Sequence, residues 1–198
     1  MDCGLLYSAG KDSTLAALLL EDFFDVTLVS GSFGIDEDVI ENGRTAAEAV
    51  GLPFEALELD REVAEAAVER MVADGYPSEG IQLVHEHALE RLADDGAFEA
   101  VADGTRRDDR APTVDRPLAQ SLEDRFDVEY VAPLAGFGRG AIDHLVEERL
   151  DVESGPSESV PKADYETELR ALMADEYGES AVDDVFPEHT QSRVVGLR

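Results

Sequence analysis

Gly4-Leu5-Leu6-Tyr7-Ser8-Ala9-Gly10-Lys11-Asp12-Ser13-Thr14 is an apolar run that passes directly into a loop of small and hydroxyl-bearing residues. The apolar part reads as a strand buried on both faces, and the residues from Lys11 onward open a helix. Open α/β sheets bind ligands at such places, beyond the carboxyl ends of their strands. Small side chains let the backbone come close to an anion, and N–H groups at a helix start converge on phosphate oxygens. Ser8, Ser13 and Thr14 offer hydroxyl donors, and Lys11 adds a point charge. Two other phosphate patterns fail. A Walker A loop needs glycine where Leu5 stands and Ser or Thr where Asp12 follows Lys11, and no G-x-G-x-x-G follows this strand.

Working outward, short apolar runs at 4–7, 25–30, 54–59, 98–102 and 128–131 alternate with segments of helical spacing. Val39, Ile40, Gly43, Ala46, Ala47 and Val50 recur in that way, as do Ala64, Val68 and Val72, then Ile81, Val84, Ala88 and Leu92, and later Ile142, Leu145 and Val146. Strand–helix alternation predicts a doubly wound α/β sheet with helices on both faces. Two consecutive helices are expected between the third and fourth strands, parted by Gly75-Tyr76-Pro77-Ser78 with Ser78 as N-cap. Residues 151–162, rich in Ser, Gly and Pro, read as an exposed connector. An amphipathic helix with Tyr165, Leu169, Leu172 and Met173 on one face follows, then a polar tail over 186–193. The domain boundaries expected are 1–150 for the sheet and 151–198 for a C-terminal helical appendage.

The loop resembles the PP-loop of the ATP pyrophosphatase (adenine nucleotide alpha-hydrolase-like, HUP-fold) superfamily. That signature is Ser-Gly-Gly-x-Asp-Ser, and Ser8-Ala9-Gly10-Lys11-Asp12-Ser13 matches it at five of six positions, with Ala9 for the first glycine. The substitution is harmless if Ala9 avoids positive φ. The resemblance spans residues 1–150 in element order. It implies a five-stranded parallel, Rossmann-like sheet, cleavage of ATP to AMP and pyrophosphate, and adenylation of a substrate that ammonia or another amine then attacks. It implies a nucleotide site built from Tyr7, Ser8, Ala9, Gly10, Lys11, Asp12, Ser13, Ser32, Phe33, Gly104 and Thr105. Phe33 stands where relatives place adenine-contacting backbone. A second motif, Asp103-Gly104-Thr105-Arg106-Arg107-Asp108-Asp109-Arg110, ends the fourth strand. There Asp108 or Asp109 suits Mg²⁺, and Arg106, Arg107 or Arg110 suits developing phosphate charge. The expected catalytic set is Lys11, Asp12, Arg107, Asp108, Asp109 and Lys162, with Asp12 and Asp108 as metal ligands. The alternative is a regulatory module that binds ATP or AMP without turnover.

Composition narrows the choice. With 46 acidic and 16 basic residues the net charge is −30, yet Leu, Val, Ile and Phe fill 52 of 198 positions. That is above the roughly 20% below which charged chains stay unfolded, so a core forms. The far field repels nucleic acid and anionic membranes. Molar salt shrinks the screening length to about 3 Å, so the composition suits a salt-loaded, haloarchaeal-type cytoplasm. Only Lys11 and Lys162 are lysines, which draws attention to both. One cysteine, Cys3, is too few for the clustered thiols of the thiolating and zinc-binding branches. No signal peptide or apolar span of about 20 residues is present, so a cytoplasmic location is expected. The partners expected are ATP or AMP and an acceptor, tRNA or a protein, with arginines 106, 107, 110 and 116 for short-range contacts. A homodimer stays open. His85 is expected to face the site and His87 another side, since i and i+2 diverge on a helix. His189, Gln191 and Arg193 form a candidate substrate-reading cluster.

Overall fold

The computed structural model describes residues 1–156, 160–187 and 190–198. Five strands, β1 (Asp2–Leu6), β2 (Asp25–Ser32), β3 (Phe54–Glu58), β4 (Ala100–Ala102) and β5 (Glu129–Val131), form one sheet. Its order is β3-β2-β1-β4-β5, with every pair parallel. Side chains of the central strand alternate as the pleat requires: Cys3, Leu5 and the following Tyr7 enter one core, Leu6 the other. The first core lies under α1 (Lys11–Leu20), α2 (Asp38–Val50) and α6 (Arg139–Arg149). The second lies under α3 (Arg61–Asp74), α4 (Ser78–Asp94), α5 (Arg116–Phe126), α7 (Tyr165–Tyr177) and α8 (Glu179–Val185). The doubly wound sheet predicted from the alternation of runs is therefore the fold.

Differences from the sequence reading have local causes. β4 starts at Ala100, because the Phe98 ring fills the space beside Gly4, 2.6 Å from where a Cβ would sit there. Ser78 is the first residue of α4 and Pro77 its cap position, so serine caps nothing there. α5 escaped the periodicity because Leu122 is its one buried residue; its start is nonetheless marked by Asp115, whose carboxylate accepts from the Leu118 N–H at 2.9 Å.

The larger correction concerns residues 151–162. The stretch opens in β6 (Leu150–Pro156), which pairs antiparallel with β7 (Thr190–Leu197) in a two-stranded ribbon. Its Gly and Pro imitate a loop, but proline is tolerated at the end of an edge strand. The ribbon lies on α1, α2 and α6, and Leu150 and Val194 are buried beneath it. Residues 190–193 of the expected polar tail are thus strand, and the ribbon reaches the loop after β1, where the Val194 N–H donates to the Ala9 carbonyl at 3.0 Å; the Ala163 N–H donates to the Ser8 carbonyl at 3.3 Å.

Candidate functional site

The chain runs from β1 outward to β3 and then returns to lay β4 on the other side of β1, so the carboxyl ends of β1 and β4 flank the switch point of the sheet. At the end of β1, Gly10 caps α1 without a side-chain hydrogen bond, and the first helical bond is Thr14 N–H to the Gly10 carbonyl at 3.1 Å. The N–H groups of Lys11, Asp12 and Ser13 consequently have no partner within the helix. Ser8 and Ser13 hydroxyls lie 3.1 Å apart across the loop. Thr14 is buried and returns its hydroxyl to the Gly10 carbonyl at 2.9 Å, which makes it a brace for the loop. Ala9 adopts φ of 60°, in the left-handed region that favours glycine.

The loop after β4 closes against this one. A Cβ on Gly104 would meet Ser13 N and Cα at 2.8 Å, so only glycine admits this approach. Arg106 bridges the two loops, 3.4 Å from Asp12 and donating from Nε and Nη2 to Oδ1 of Asp109, whose Oδ2 takes the Arg106 backbone N–H at 2.7 Å. Lys11 Nζ holds the other Asp12 oxygen at 2.8 Å. The bonds to Asp109 and the charge of Asp12 raise the Arg106 pKa and keep it cationic.

Both loops open into a cavity of about 460 Å³, within the usual range for small-molecule sites. Ser8, Asp12, Ser13, Gly104, Thr105, Asp109 and Arg110 form its polar side; Leu6, Tyr76, Pro77, Ile81 and Phe186 form an apolar one. Behind the cavity lies a chain of polar groups. Asp103 is buried, with one carboxylate oxygen 2.8 Å from His85 Nε2 and 3.1 Å from the Tyr130 hydroxyl. The other accepts from Thr105 N–H at 2.9 Å and Thr105 Oγ1 at 2.6 Å. Burial alone would raise the Asp103 pKa, but the bonds from His85 and Thr105 outweigh it and hold the carboxyl below its ordinary value. An ionised Asp103 accepts only, so His85 donates from Nε2, and in the neutral ring Nδ1 accepts from Tyr165 O–H, 2.5 Å away. Burial, then the charges of Asp103 and Asp164, push the Tyr165 pKa upward. Tyr165, His85 and Asp103 each reach the cavity wall, so a proton can pass along the chain Asp103–His85–Tyr165 beside whatever the cavity holds.

Of the residues expected at the site, the structure brings Ser8, Asp12, Ser13, Gly104, Thr105 and Asp109 onto one cavity, with Lys11 and Arg106 beside them. Tyr7, Ala9 and Gly10 support the loop from below. Asp108 is exposed and off the cavity wall, whereas its neighbour Asp109 lines it. Arg107 leans toward α6, its Nη2 3.1 Å from where a Cβ on Gly138 would be. Ser32 and Phe33 stand away from the cavity lining: the Glu168 carboxylate, fully buried on α7, accepts from the Ser32 hydroxyl at 3.0 Å, Phe33 N–H at 2.9 Å and Ile35 N–H at 2.9 Å. The adenine-contacting N–H expected at Phe33 is thereby engaged by the protein itself. Lys162 is buried, 3.9 Å from Asp164 and 3.8 Å from Glu166, with its carbonyl accepting from Asn42. It borders a second cavity beside Asp36 and Asp38, while Asp164 and Glu166 line the first. Burial and the Glu166 charge raise the Asp164 pKa, against the pull of Lys162. Gln191 lines the first cavity, Arg193 pairs with Glu153 at 2.8 Å, and His189 lies outside the described residues. His85 faces the site and His87 turns away, accepting from Asp60 N–H at 3.1 Å.

Sequence reasoning missed Asp103, Tyr130 and Tyr165 as site residues. Asp103 adjoins Gly104 at a strand end and Tyr130 sits opposite Val101 in the neighbouring strand, both legible from the sheet. Tyr165 arrives from α7, and no local signal marks it. Among the described residues no group of three His, Cys, Asp or Glu side chains is arranged to hold a metal alone. Mg²⁺ accompanying a nucleotide needs only one or two carboxylates besides phosphate oxygens. Asp12 and Asp109 fit that need; Asp108 does not share their cavity.

A sheet of this order with a glycine- and hydroxyl-rich loop at its switch point is a doubly wound α/β architecture of the nucleotide-binding type. A family model described as a family of unknown function (DUF7411) matches residues 1–196, and the chain belongs to that family. It is 39% identical over 199 residues to Uncharacterized protein MJ0690 of Methanocaldococcus jannaschii, covering 100% of this chain and 97% of that protein. Its structure is similar to the crystal structure of a predicted subunit of tRNA methyltransferase from Methanocaldococcus jannaschii, with TM-score 0.89 and 38% identity over 100% of this chain and 98% of the other. It is also similar to U34-tRNA thiolase NcsA of Methanococcus maripaludis with its 4Fe-4S cluster, at TM-score 0.52 and 17% identity, covering 74% of this chain and 56% of that one. That last likeness speaks for the fold alone. No helix among the described residues is long and apolar enough to cross a membrane.

Proposed function

We propose that this chain binds ATP in the 460 Å³ cavity and cleaves it between the α- and β-phosphates, activating an acceptor for attack by ammonia or another amine. An oxygen of the acceptor attacks the α-phosphorus, the bond to the β-phosphate oxygen breaks, and pyrophosphate leaves. The amine nitrogen then displaces AMP, and its proton needs an acceptor. Ser8, the open N–H groups of Lys11 to Ser13, and Lys11 and Arg106 would meet the phosphates. Asp12 and Asp109 would hold Mg²⁺, which neutralises phosphate charge. His85 and Tyr165 stand where the amine proton can be taken.

The observation that carries this reading is the closure of two loops at one switch point, with Gly104 seated on the backbone of Ser13 and both loops facing one cavity. tRNA is the favoured acceptor, supported by the tRNA-related name of the Methanocaldococcus jannaschii neighbour. Sulfur transfer is disfavoured, because Cys3 is this chain's one cysteine, fully buried in β1, with burial pushing its thiol to about 11. The test is a pair of variants, Lys11→Ala and Asp12→Ala, assayed for AMP formation with tRNA and ammonium present. Each is expected to lose at least about a hundredfold in turnover with an unchanged circular dichroism spectrum. Wild-type turnover in both would overturn the assignment.

A further inference from the structure

We propose that Arg107, Arg110, Arg116 and Arg139 form a docking face for the phosphate backbone of RNA beside the cavity. The proposal rests on, and deepens, the reading of tRNA as acceptor. All four are exposed, and among the described residues none pairs with a carboxylate. Arg44, Arg61, Arg70, Arg125 and Arg170 each have an acidic partner, whereas four of the seven arginines without one among the described residues fall at these positions.

Helix electrostatics sharpen the point. α1, α2, α3, α4, α7 and α8 each carry an acid in the first turn, which the helix dipole favours. α5 and α6 carry none there and instead begin with Arg116 and Arg139, the arrangement the dipole opposes. α5 retains only its capping Asp115. Arg149, also without a carboxylate, sits at the end of α6, where the dipole welcomes it. Both helices start at the carboxyl edge of the sheet, because each returns from the end of a strand. No acidic residue falls between Val131 and Ile142. Arg107 and the α6 start are in contact through Gly138, and Arg110 lies on the cavity wall, so the basic face runs from the cavity to α6.

Unpaired positive charge on the positive ends of two helices is a site for a polyanion. RNA fits better than an acidic protein. Guanidinium forks match phosphates, while a protein interface needs a cluster of apolar anchors, and among the described residues Tyr76 is the one exposed large apolar side chain that lines the cavity beside this face.

The test uses the double variant Arg116→Gln/Arg139→Gln, which leaves the cavity lining intact. Binding of fluorescently labelled unfractionated tRNA is measured across KCl concentrations, beside ATP affinity by calorimetry, which reports on the nucleotide site separately. The expected result is at least a tenfold loss in tRNA affinity, with a salt slope shallower by about 1.5 to 2. ATP affinity and melting temperature should hold. Unchanged tRNA affinity would overturn the docking face and leave the ATP reading standing. Polyglutamate bound more tightly than tRNA by the unaltered protein would equally overturn it.

Discussion

Asp103 stays ionised where burial opposes charge, and it does so because His85, Thr105 and Tyr130 surround it with hydrogen-bond donors. A folded-state pKa held below 3.8 contributes stability above that pH and loses it as pH falls through the folded value. Asp103→Asn should therefore lower stability by about 2–4 kcal/mol near pH 7, since it removes charged hydrogen bonds from buried partners. The gap between variant and unaltered protein should narrow below about pH 4 in denaturant titrations. A gap independent of pH would contradict an ionised Asp103. Single residues were legible where they carry a motif. Ala9 exposes the limit of that reading: the sequence predicts harmlessness if Ala9 avoids positive φ, yet it takes φ of 60°. An alanine there costs about 1–2 kcal/mol. It is held by the Val194 bond to its carbonyl and by a buried methyl group, neither visible in a six-residue signature. Asp109 rather than Asp108 at the cavity is likewise a matter of one peptide's orientation, which adjacent identical side chains cannot disclose.

At the scale of elements, the sheet was legible because five apolar runs separated by helical periods admit few arrangements. The two loops of the site follow from it, since strand ends fix them. The β6–β7 ribbon was not legible, because its strands pair across 33 residues of chain between their facing ends and neither is apolar enough to stand out, whereas α6 and α7 on either side were legible from their helical spacing. Its consequence for the site is direct. β7 donates to the loop after β1 through Val194 N–H, so the loop's conformation depends on a segment far away in sequence. Val194→Pro deletes that donor. ATP affinity should fall at least tenfold at a temperature where the variant remains folded, measured by calorimetry. Unchanged affinity would mean that the ribbon covers the loop without shaping it. Glu168 acts similarly from α7, fixing residues 32–36 by hydrogen bonds whose donors lie more than 130 positions earlier. Such contacts join a helix of ordinary amphipathic pattern to a loop of ordinary composition, and nothing local marks them.

For the whole molecule, a charge of −30 is self-repulsive, and screening relieves it. The melting temperature should rise by several degrees between about 0.15 and 2 M KCl, as the screening length contracts from about 8 Å toward 3 Å or less. A flat profile in a thermal scan would contradict the salt-adapted reading. The same repulsion makes four unpaired arginines on one edge informative, for a basic patch in this background is not produced by average composition. The proposed ATP cleavage at the sheet's switch point joins these scales, and product identity tests it most directly. With ATP labelled at the α-phosphate, Mg²⁺, tRNA and ammonium, the labelled product should be AMP, appearing in step with pyrophosphate. Labelled ADP with orthophosphate in its place would contradict the account.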